Sequence, residues 1–323
     1  MSLIVANGQE TPRAGVDFPA TRQAFEAWFA DDAACRAFLA RLRWPNGFIC
    51  PSCSGTTSWV TARGLWMCQA CAHQTSVTAG TIFHRSQLPL RTWFAAIWFM
   101  CAQKNGVSAL GLQRVLGFGS YATAWTWMHK LRRAMVRPER DRIGGPGVSV
   151  EMDCTFIGGR AGKGRKRYEN KAEVAIAIEL RHPKGYGRVR LAHIDTATRK
   201  DHLLEFIEEN ILPGTILYTD GEAAYNAIPK RLDITHERIV LMTSTAAAHD
   251  LLPGVHRVAA LLKRWLTGTL HDGQSAAQLA YYLDEFTFRF NRRASRSRGL
   301  LWYRLIQQAL NTDPHPYNDI ISH

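Results

Sequence analysis

Two periodicities run along the 323-residue chain. Through residue 136, apolar positions recur three and four apart, the spacing of one helical face. "TRQAFEAWFADDAACRAFLARLRW" predicts one or two helices, and "PLRTWFAAIWFMCAQ" a strongly apolar one. In "GVSALGLQRVLGFGSYATAWTWMHKLRRAM" a helix capped by Ser108 ends at Gly117, and a second restarts at Ser120 after a short turn. "RPERDRIGGPG" (residues 137–147) is charged and then rich in Gly and Pro, as linkers are. From Val148 the pattern changes to strands: "VSVEMDCTFIGG", "EVAIAIELR" and "YGRVRLAHI". "KDHLLEFIEENIL" then reads as a helix, "GTILYTDGEAAY" as a strand ending in a turn, and "DITHERIVL" as another strand. Beyond Pro253 the chain reads as helical, with Val255, Val258, Ala259, Leu262 and Leu266 on one face and His256 and Lys263 on nearly the same side of the helix.

Between the first helices lie "CPSC" and "CQAC", separated by fourteen residues. Two C-x-x-C knuckles can set Cys50, Cys53, Cys68 and Cys71 around one tetrahedral ion, and four thiolates favour zinc. Short strands at "SWV" and "LWMC" complete a zinc ribbon. A redox pair would need one C-x-x-C in a βαβ setting, and seven cysteines in all argue against a disulfide framework. Cys35, Cys101 and Cys154 stand among apolar neighbours as core residues. His73 and His84 lie close by, but four cysteines already fill the shell.

Composition narrows the partner. Forty Lys and Arg against twenty-seven Asp and Glu leave a net charge of +13, which calls for an anionic partner, nucleic acid before membrane surface. The hairpin after the ribbon ends in "HKLRRAM" and fits a helix-turn-helix, with Lys130, Arg132 and Arg133 towards DNA. Lys163, Arg165, Lys166 and Arg167 form a basic loop, and Arg289, Arg292 and Arg293 close a later helix; both groups are candidates for phosphate contact. No run of eighteen apolar residues exists, and the first fifteen residues lack a signal-peptide pattern. The expectation is a soluble, cytoplasmic, nucleoid-associated protein.

Alternation on the first strand of the back half sets Glu151 and Asp153 on one face, and Asp220 ends the fourth strand. The order β-β-β-α-β-α-β-α, with carboxylates on the first and fourth strands, is that of a ribonuclease-H-like fold. The expected class is therefore an α+β multidomain protein. Its segments are helical at 1–43, zinc ribbon at 44–85, helix-turn-helix at 86–136, linker at 137–147, ribonuclease-H-like α/β domain with a mixed sheet at 148–312, and a tail at 313–323. Such carboxylates hold two divalent cations, Mg²⁺ or Mn²⁺, about 4 Å apart at a phosphodiester. A third ligand usually comes from a later helix.

The chain resembles the zinc-ribbon insertion-sequence transposases of the bacterial and archaeal fifteen-ninety-five family, in the DDE superfamily. The motifs that carry the likeness are "LRWPNGFICPSC", "CQACAHQTSVTAGTIFHRSQLPLRTWF", "VEMDCTFIGG", "YTDGEAAY" and "LLKRWLTGTLHDGQSAAQLAYYLDEFTFRFNRR". The resemblance implies binding of terminal inverted repeats, metal-dependent strand cleavage and strand transfer on double-stranded DNA, by a homodimer or larger assembly. It carries the first two acidic positions to Asp153 and Asp220. The third, after the thirty-five intervening residues 221 to 255, falls on His256, and the following basic position on Lys263. Here the chain departs from the superfamily, whose usual third residue is Glu, with Asn in some members of this family. Imidazole can ligate a metal but brings no negative charge. Either the site is weaker for Mg²⁺ and draws on Glu285 or Glu151, or the protein is a catalytically impaired DNA-binding derivative. A zinc-ribbon transcription factor would leave the strand-borne carboxylates unexplained.

Overall fold

At Arg137, and again at Arg293, the chain passes from one compact unit to the other. This is a computed structural model, which describes residues 11–137, 140–158, 171–195, 198–228, 232–239, 251–270 and 278–321.

The first unit comprises Met1–Arg137 and Ala294–His323. Helices α1 (Arg22–Trp28) and α2 (Asp32–Arg43) are capped by Thr21 and Asp31, whose side chains accept from the amides of Ala24 and Ala34. The ribbon follows as β1 (Ser58–Val60), β2 (Trp66–Cys68) and β3 (Gln74–Thr75), an antiparallel sheet in that order. Then come α3 (Leu90–Ala102), α4 (Ala109–Leu116) and α5 (Tyr121–Ala134). Ser108 and Ser120 cap α4 and α5, and Gly117 ends α4 at φ 69°, a left-handed conformation that glycine adopts without strain.

A later segment returns to this unit. In α9 (Arg298–Leu310), Trp302 is fully buried within 5.2 to 5.7 Å of the rings of Phe25, Phe29, Phe38 and Phe94. Its indole N–H donates to the Phe94 carbonyl at 3.1 Å. A Cβ on Gly299 would lie 1.9 Å from the Pro19 carbonyl oxygen, so the start of α9 seats closely only because that residue is glycine. The expected limit of the back domain at residue 312 therefore moves to Arg293, because the apolar face of α9 finds its core among α1, α2 and α3. Residues 313–323, expected as a tail, include α10 (Tyr317–Ile321), with Ile320 buried.

The second unit, Pro138–Arg293, is built on a five-stranded sheet. Its strands are β5 (Ser149–Ile157), β6 (Ala172–Leu180), β7 (Tyr186–Ile194), β9 (Ile216–Asp220) and β10 (Thr235–Ile239). Their spatial order is β10-β9-β5-β6-β7, with β6 antiparallel to both neighbours and β9 parallel to β5 and β10. Numbered from β5 the order is 5-4-1-2-3, the mixed sheet expected of a ribonuclease-H-like domain. A short parallel pair, β4 (Ile143–Gly144) with β8 (Ile211–Leu212), closes one end.

Central strand β6 is apolar throughout "VAIAI" and fully buried there, because both faces are covered. Ala175 and Ala177 face α6 (Arg199–Asn210), packing with Met152, Leu203 and Ile207. Val174, Ile176 and Ile178 face α7 (Pro253–Leu270) and α8 (Leu279–Asn291). The stripe predicted for α7, from Val255 to Leu266, is the one buried there. Between the fourth and fifth strands, where a helix was expected, the described residues form a 3₁₀ turn at Ala223–Ala227 that continues into a helical residue at Ile228, and residues 229–231 of that segment lie outside the described residues. The expected linker is pinned to the sheet rather than free. Arg188 and Arg190 on β7 donate to the carbonyls of Arg142 and Asp141, and Arg140 donates to Asn210.

Candidate active site and metal centre

Ladder register brings the two acids together. β5 and β9 pair as Ser149 with Ile216, Val150 with Leu217 and Glu151 with Tyr218, a constant offset of 67 (216 − 149). The same offset sets Asp153, at the middle of β5, level with Asp220 at the carboxyl end of β9, two residues past the last ladder pair, on strands roughly 4.8 Å apart. Both point to the α7 face, opposite Val150, Met152 and Leu217. His256 is the fourth residue of α7, and its imidazole lies close enough to act electrostatically on Asp153.

Burial and like charge act together on Asp153. Desolvation first, then the charges of Asp220 and Glu222, push its carboxyl from the usual 3.8 up to about 6, against the Cys154 amide, which donates to Oδ1 at 2.7 Å. Burial and neighbouring carboxylates thus disfavour the bare anion at Asp153, a penalty that a bound divalent cation would offset. Two carboxylates, an imidazole and a neighbouring Glu222 suit Mg²⁺ or Mn²⁺ by donor chemistry. Among the described residues only the four cysteines bring three or more donors within 4.8 Å of one another, so this donor set is more spread than a single-ion cage.

The turn after Asp220 is fixed on every side. The Glu222 amide donates to Asp220 Oδ1 at 3.2 Å, and Arg238 on β10 donates to the Gly221 carbonyl at 2.8 Å. Arg199, in the first turn of α6, bridges Glu222 and the buried Glu173 of β6, with Nε to Glu173 at 2.7 Å and Nη2 to Glu222 at 2.8 Å. Sequence reasoning missed this group. "DGE" offered the only signal for Glu222, and nothing in the sequence linked Arg199 to residues 173 and 222.

Other candidates resolve differently. Glu151 is buried and accepts the Val255 amide at 3.0 Å, so it serves α7. Glu285 is buried on α8 and taken up by Arg289 at 2.9 Å. Lys263 is exposed two turns after His256, its pKa lowered by desolvation and then by Lys171. Arg132 is only 2% exposed, which corrects its assignment to DNA; Arg133 is exposed and Lys130 half-buried. Arg292 and Arg293 lie over the rings of Phe288 and Phe290 and donate to backbone carbonyls, so part of each guanidinium is committed to the fold. Lys163, Arg165, Lys166 and Arg167 lie outside the described residues. A depression of about 380 Å³ is lined by Asp201, Leu204, Glu205, Glu208 and Leu232; its acidic wall suits no phosphodiester.

In the first unit the cysteines close a second centre. Cys50 to Cys71 is 3.7 Å between sulfurs and Cys53 to Cys68 is 3.6 Å. Sulfurs 2.3 Å from a tetrahedral zinc stand about 3.8 Å apart. The two knuckles repeat one geometry: Ser54 and Ala72, each just past a pair, have φ of 61° and 56° and donate to the carbonyls of Cys50 and Cys68. Burial raises the Cys50 thiol, but the amides of Cys53 and Ser52 outweigh it and lower the thiol to about 7. At Cys53 the Gly55 amide is overcome by the sulfurs of Cys71 and Cys68, and the thiol rises to about 12. Four sulfurs this close do not all ionise without a cation, and the cluster fits a structural zinc.

Two outcomes are expected. Protein purified without oxidation should carry one zinc on the four cysteines, and Cys68→Ser should release it while the second unit stays folded; zinc-free parent protein would refute the assignment. At Asp153 the folded protein holds the proton more tightly than the unfolded chain. The ionised carboxylate therefore costs no stability below the usual 3.8, and on the order of 2–3 kcal/mol once pH passes about 6. Without added divalent metal, Asp153→Asn should melt above the parent at neutral pH, and the gap should close on acidification through that window. A gap independent of pH would show that this carboxyl titrates normally.

Comparison with known families matches residues 144–291 to the ISXO2-like transposase domain and residues 30–74 to the transposase zinc-ribbon domain. A curated relative, an uncharacterized protein in transposable element ISH50 of Halobacterium salinarum, is 26% identical over 282 residues, covering 81% of this chain and 91% of that protein. Among solved structures, a chain in the cryoEM structure of the simian T-cell lymphotropic virus intasome in complex with PP2A regulatory subunit B56 gamma aligns at 16% identity. It covers 56% of this chain and 65% of that one, with a TM-score of 0.29, a likeness too loose to argue from. The two family matches take in all four cysteines on one side and Asp153, Asp220 and His256 on the other. The chain belongs to the zinc-ribbon, ISXO2-like insertion-sequence transposases, the fifteen-ninety-five family that its motifs resemble.

Proposed function

We propose that the protein binds the terminal inverted repeats of its insertion sequence and cuts and joins DNA there, with Asp153, Asp220 and His256 holding the catalytic divalent cations. The observation that carries this reading is the parallel β5–β9 register, which sets Asp153 in mid-strand level with Asp220 at the end of β9, on the face that receives α7. Two bound cations supply activation of the attacking oxygen and stabilisation of the leaving one. Asp153 and Asp220 provide the negative charge and oxygen donors that hold such ions. His256 provides a neutral nitrogen donor from the helix. Lys263, exposed two turns further along α7, is free to meet a phosphate of the strand being cut.

The front unit supplies end recognition. α4 and α5 form a helical hairpin across Gly117, and the exposed start of α5, from Ser120 to Ala122, is what a helix-turn-helix presents to the major groove. Arg133 remains an exposed cation on α5, and Lys130 a half-buried one. Two ends must be brought together, so the working form is a homodimer or larger assembly on DNA. None of the helices among the described residues is long and apolar enough to cross a membrane. His256, standing where the superfamily usually has Glu, favours a second reading, a catalytically impaired DNA-binding derivative.

Cleavage of a terminal-repeat duplex in Mg²⁺ separates the two. Asp153→Asn and Asp220→Asn should each abolish it, because losing either carboxylate removes charge the ions require. His256→Ala should cost less and be partly rescued by Mn²⁺, which tolerates irregular geometry better. His256→Glu should match or exceed the parent. A parent that binds the repeat but never cleaves it in either metal establishes the impaired form.

Affinity for DNA should fall by about 10³ to 10⁵ between 50 and 200 mM salt, as for proteins neutralising roughly six to ten phosphates. Replacing Lys163, Arg165, Lys166 and Arg167 by Ala should flatten that slope, whereas Arg132→Ala, at a buried position, should lower stability instead. Affinity that does not change with salt would point to a partner other than nucleic acid.

A further inference from the structure

Among the described residues, helix α7 starts without a side-chain cap from its own segment. Leu252 precedes it and offers no side-chain oxygen, and Pro253, its first residue, has no N–H. The next two amides, of Gly254 and Val255, are the ones an N-cap side chain normally serves. Glu151 takes both, across 104 residues of sequence. Its Oε2 accepts from the Val255 amide at 3.0 Å, and the Gly254 amide also donates to the carboxylate. This carboxylate is 4% exposed and stands on β5, on the face of Asp153 and two residues before it. A Cβ at residue 254 would lie 2.8 Å from Glu151 Oε2 and 2.7 Å from Tyr186 Cε1, so glycine lets the helix start descend onto the strand.

We propose that Glu151 is a positioning residue that caps α7 from inside the catalytic sheet and so fixes where His256 stands relative to Asp153. The inference rests on the reading that Asp153, Asp220 and His256 hold divalent cations. One strand then carries both a ligand and the anchor of the helix that brings another. Val255, held by the cap, directly precedes His256, so a loss of the cap is felt first at the imidazole. Negative charge at a helix N-terminus is favourable in its own right, which makes the anchor firm. Asp153 needs no such help, because its own strand is locked in the sheet by β6 and β9. The effect of Glu151 should therefore pass through His256 alone.

Mn²⁺ affinity of the full-length protein, read from free Mn²⁺ by electron paramagnetic resonance, tests this without reference to cleavage. Glu151→Ala should weaken binding about tenfold or more, the scale for losing a residue that orients a ligand. Glu151→Gln, which keeps an acceptor oxygen, should recover most of the loss. In a His256→Ala background, Glu151→Ala should cost less than about twofold further. Gly254→Ala leaves Glu151 intact but lifts the helix off its seat, and it should show the same dependence on His256. It carries the test if Glu151→Ala fails to fold. Equal losses with and without His256, or Glu151→Ala binding Mn²⁺ like the parent, would overturn the inference. If Asp153→Asn and Asp220→Asn also bind Mn²⁺ like the parent, the underlying reading falls and takes the inference with it. If those two are defective while the Glu151 effect ignores His256, the inference falls alone.

Discussion

Parallel pairing of β5 with β9 is the constraint on which the second unit depends. Side chains alternate along a strand, so slipping this pairing by one residue would turn Asp220 to the α6 face while Asp153 stayed on the α7 face. The register is held by burial on both sides. Val150, Met152 and Leu217 fit the core under α6, and the opposite face of the sheet fits α7 and α8. The apolar side chains thus decide where two carboxylates meet, although none of them touches the chemistry.

That meeting has an electrostatic cost, which the surroundings offset unevenly. Arg199 pairs with Glu222 and Glu173 beside the site, yet among the described residues no Arg or Lys pairs with Asp153 in the same way, and burial above all pushes its carboxyl up to about 6. A partly buried ion group such as Arg199 with two carboxylates adds little net stability, but it fixes position, because removing Arg199 would strand the buried Glu173 without a partner. The result is a fixed frame of acids around a buried carboxyl that holds its proton tightly, so any cation bound there would have to displace that proton.

The first unit solves a different problem. Its ribbon buries little apolar surface beyond Phe48, Cys50 and Cys68, and so relies on four sulfurs for cohesion. The helices around it instead depend on aromatic packing, with Trp302 at the centre and Trp93 stacked on Trp127 at 3.5 Å. Trp302 reaches that core only because the chain comes back after the second unit is complete. The second unit is thus inserted, in sequence, within the first.

The sequence by itself determined what local physics controls. The 3.6 and 2.0 periodicities marked α7 and the sheet strands closely, serines at 108 and 120 marked helix starts, and the spacing of four cysteines marked the metal knuckles. The two aspartates stood out because strand alternation marked Asp153, the end of the fourth strand marked Asp220, and the family motifs include both. Four features were decided only by the tertiary structure: the cap from Glu151 to α7, the Arg199 bridge, the burial of Arg132, and the return of α9 to the first unit. Each is a contact between residues far apart in the chain. A charged side chain reads the same in sequence whether it meets solvent, a helix end or an opposite charge, and an amphipathic helix does not reveal which core its apolar face will find. The packing of the whole chain settles which groups lose their water, and a polar group that loses its water must take whatever partner the fold brings to it.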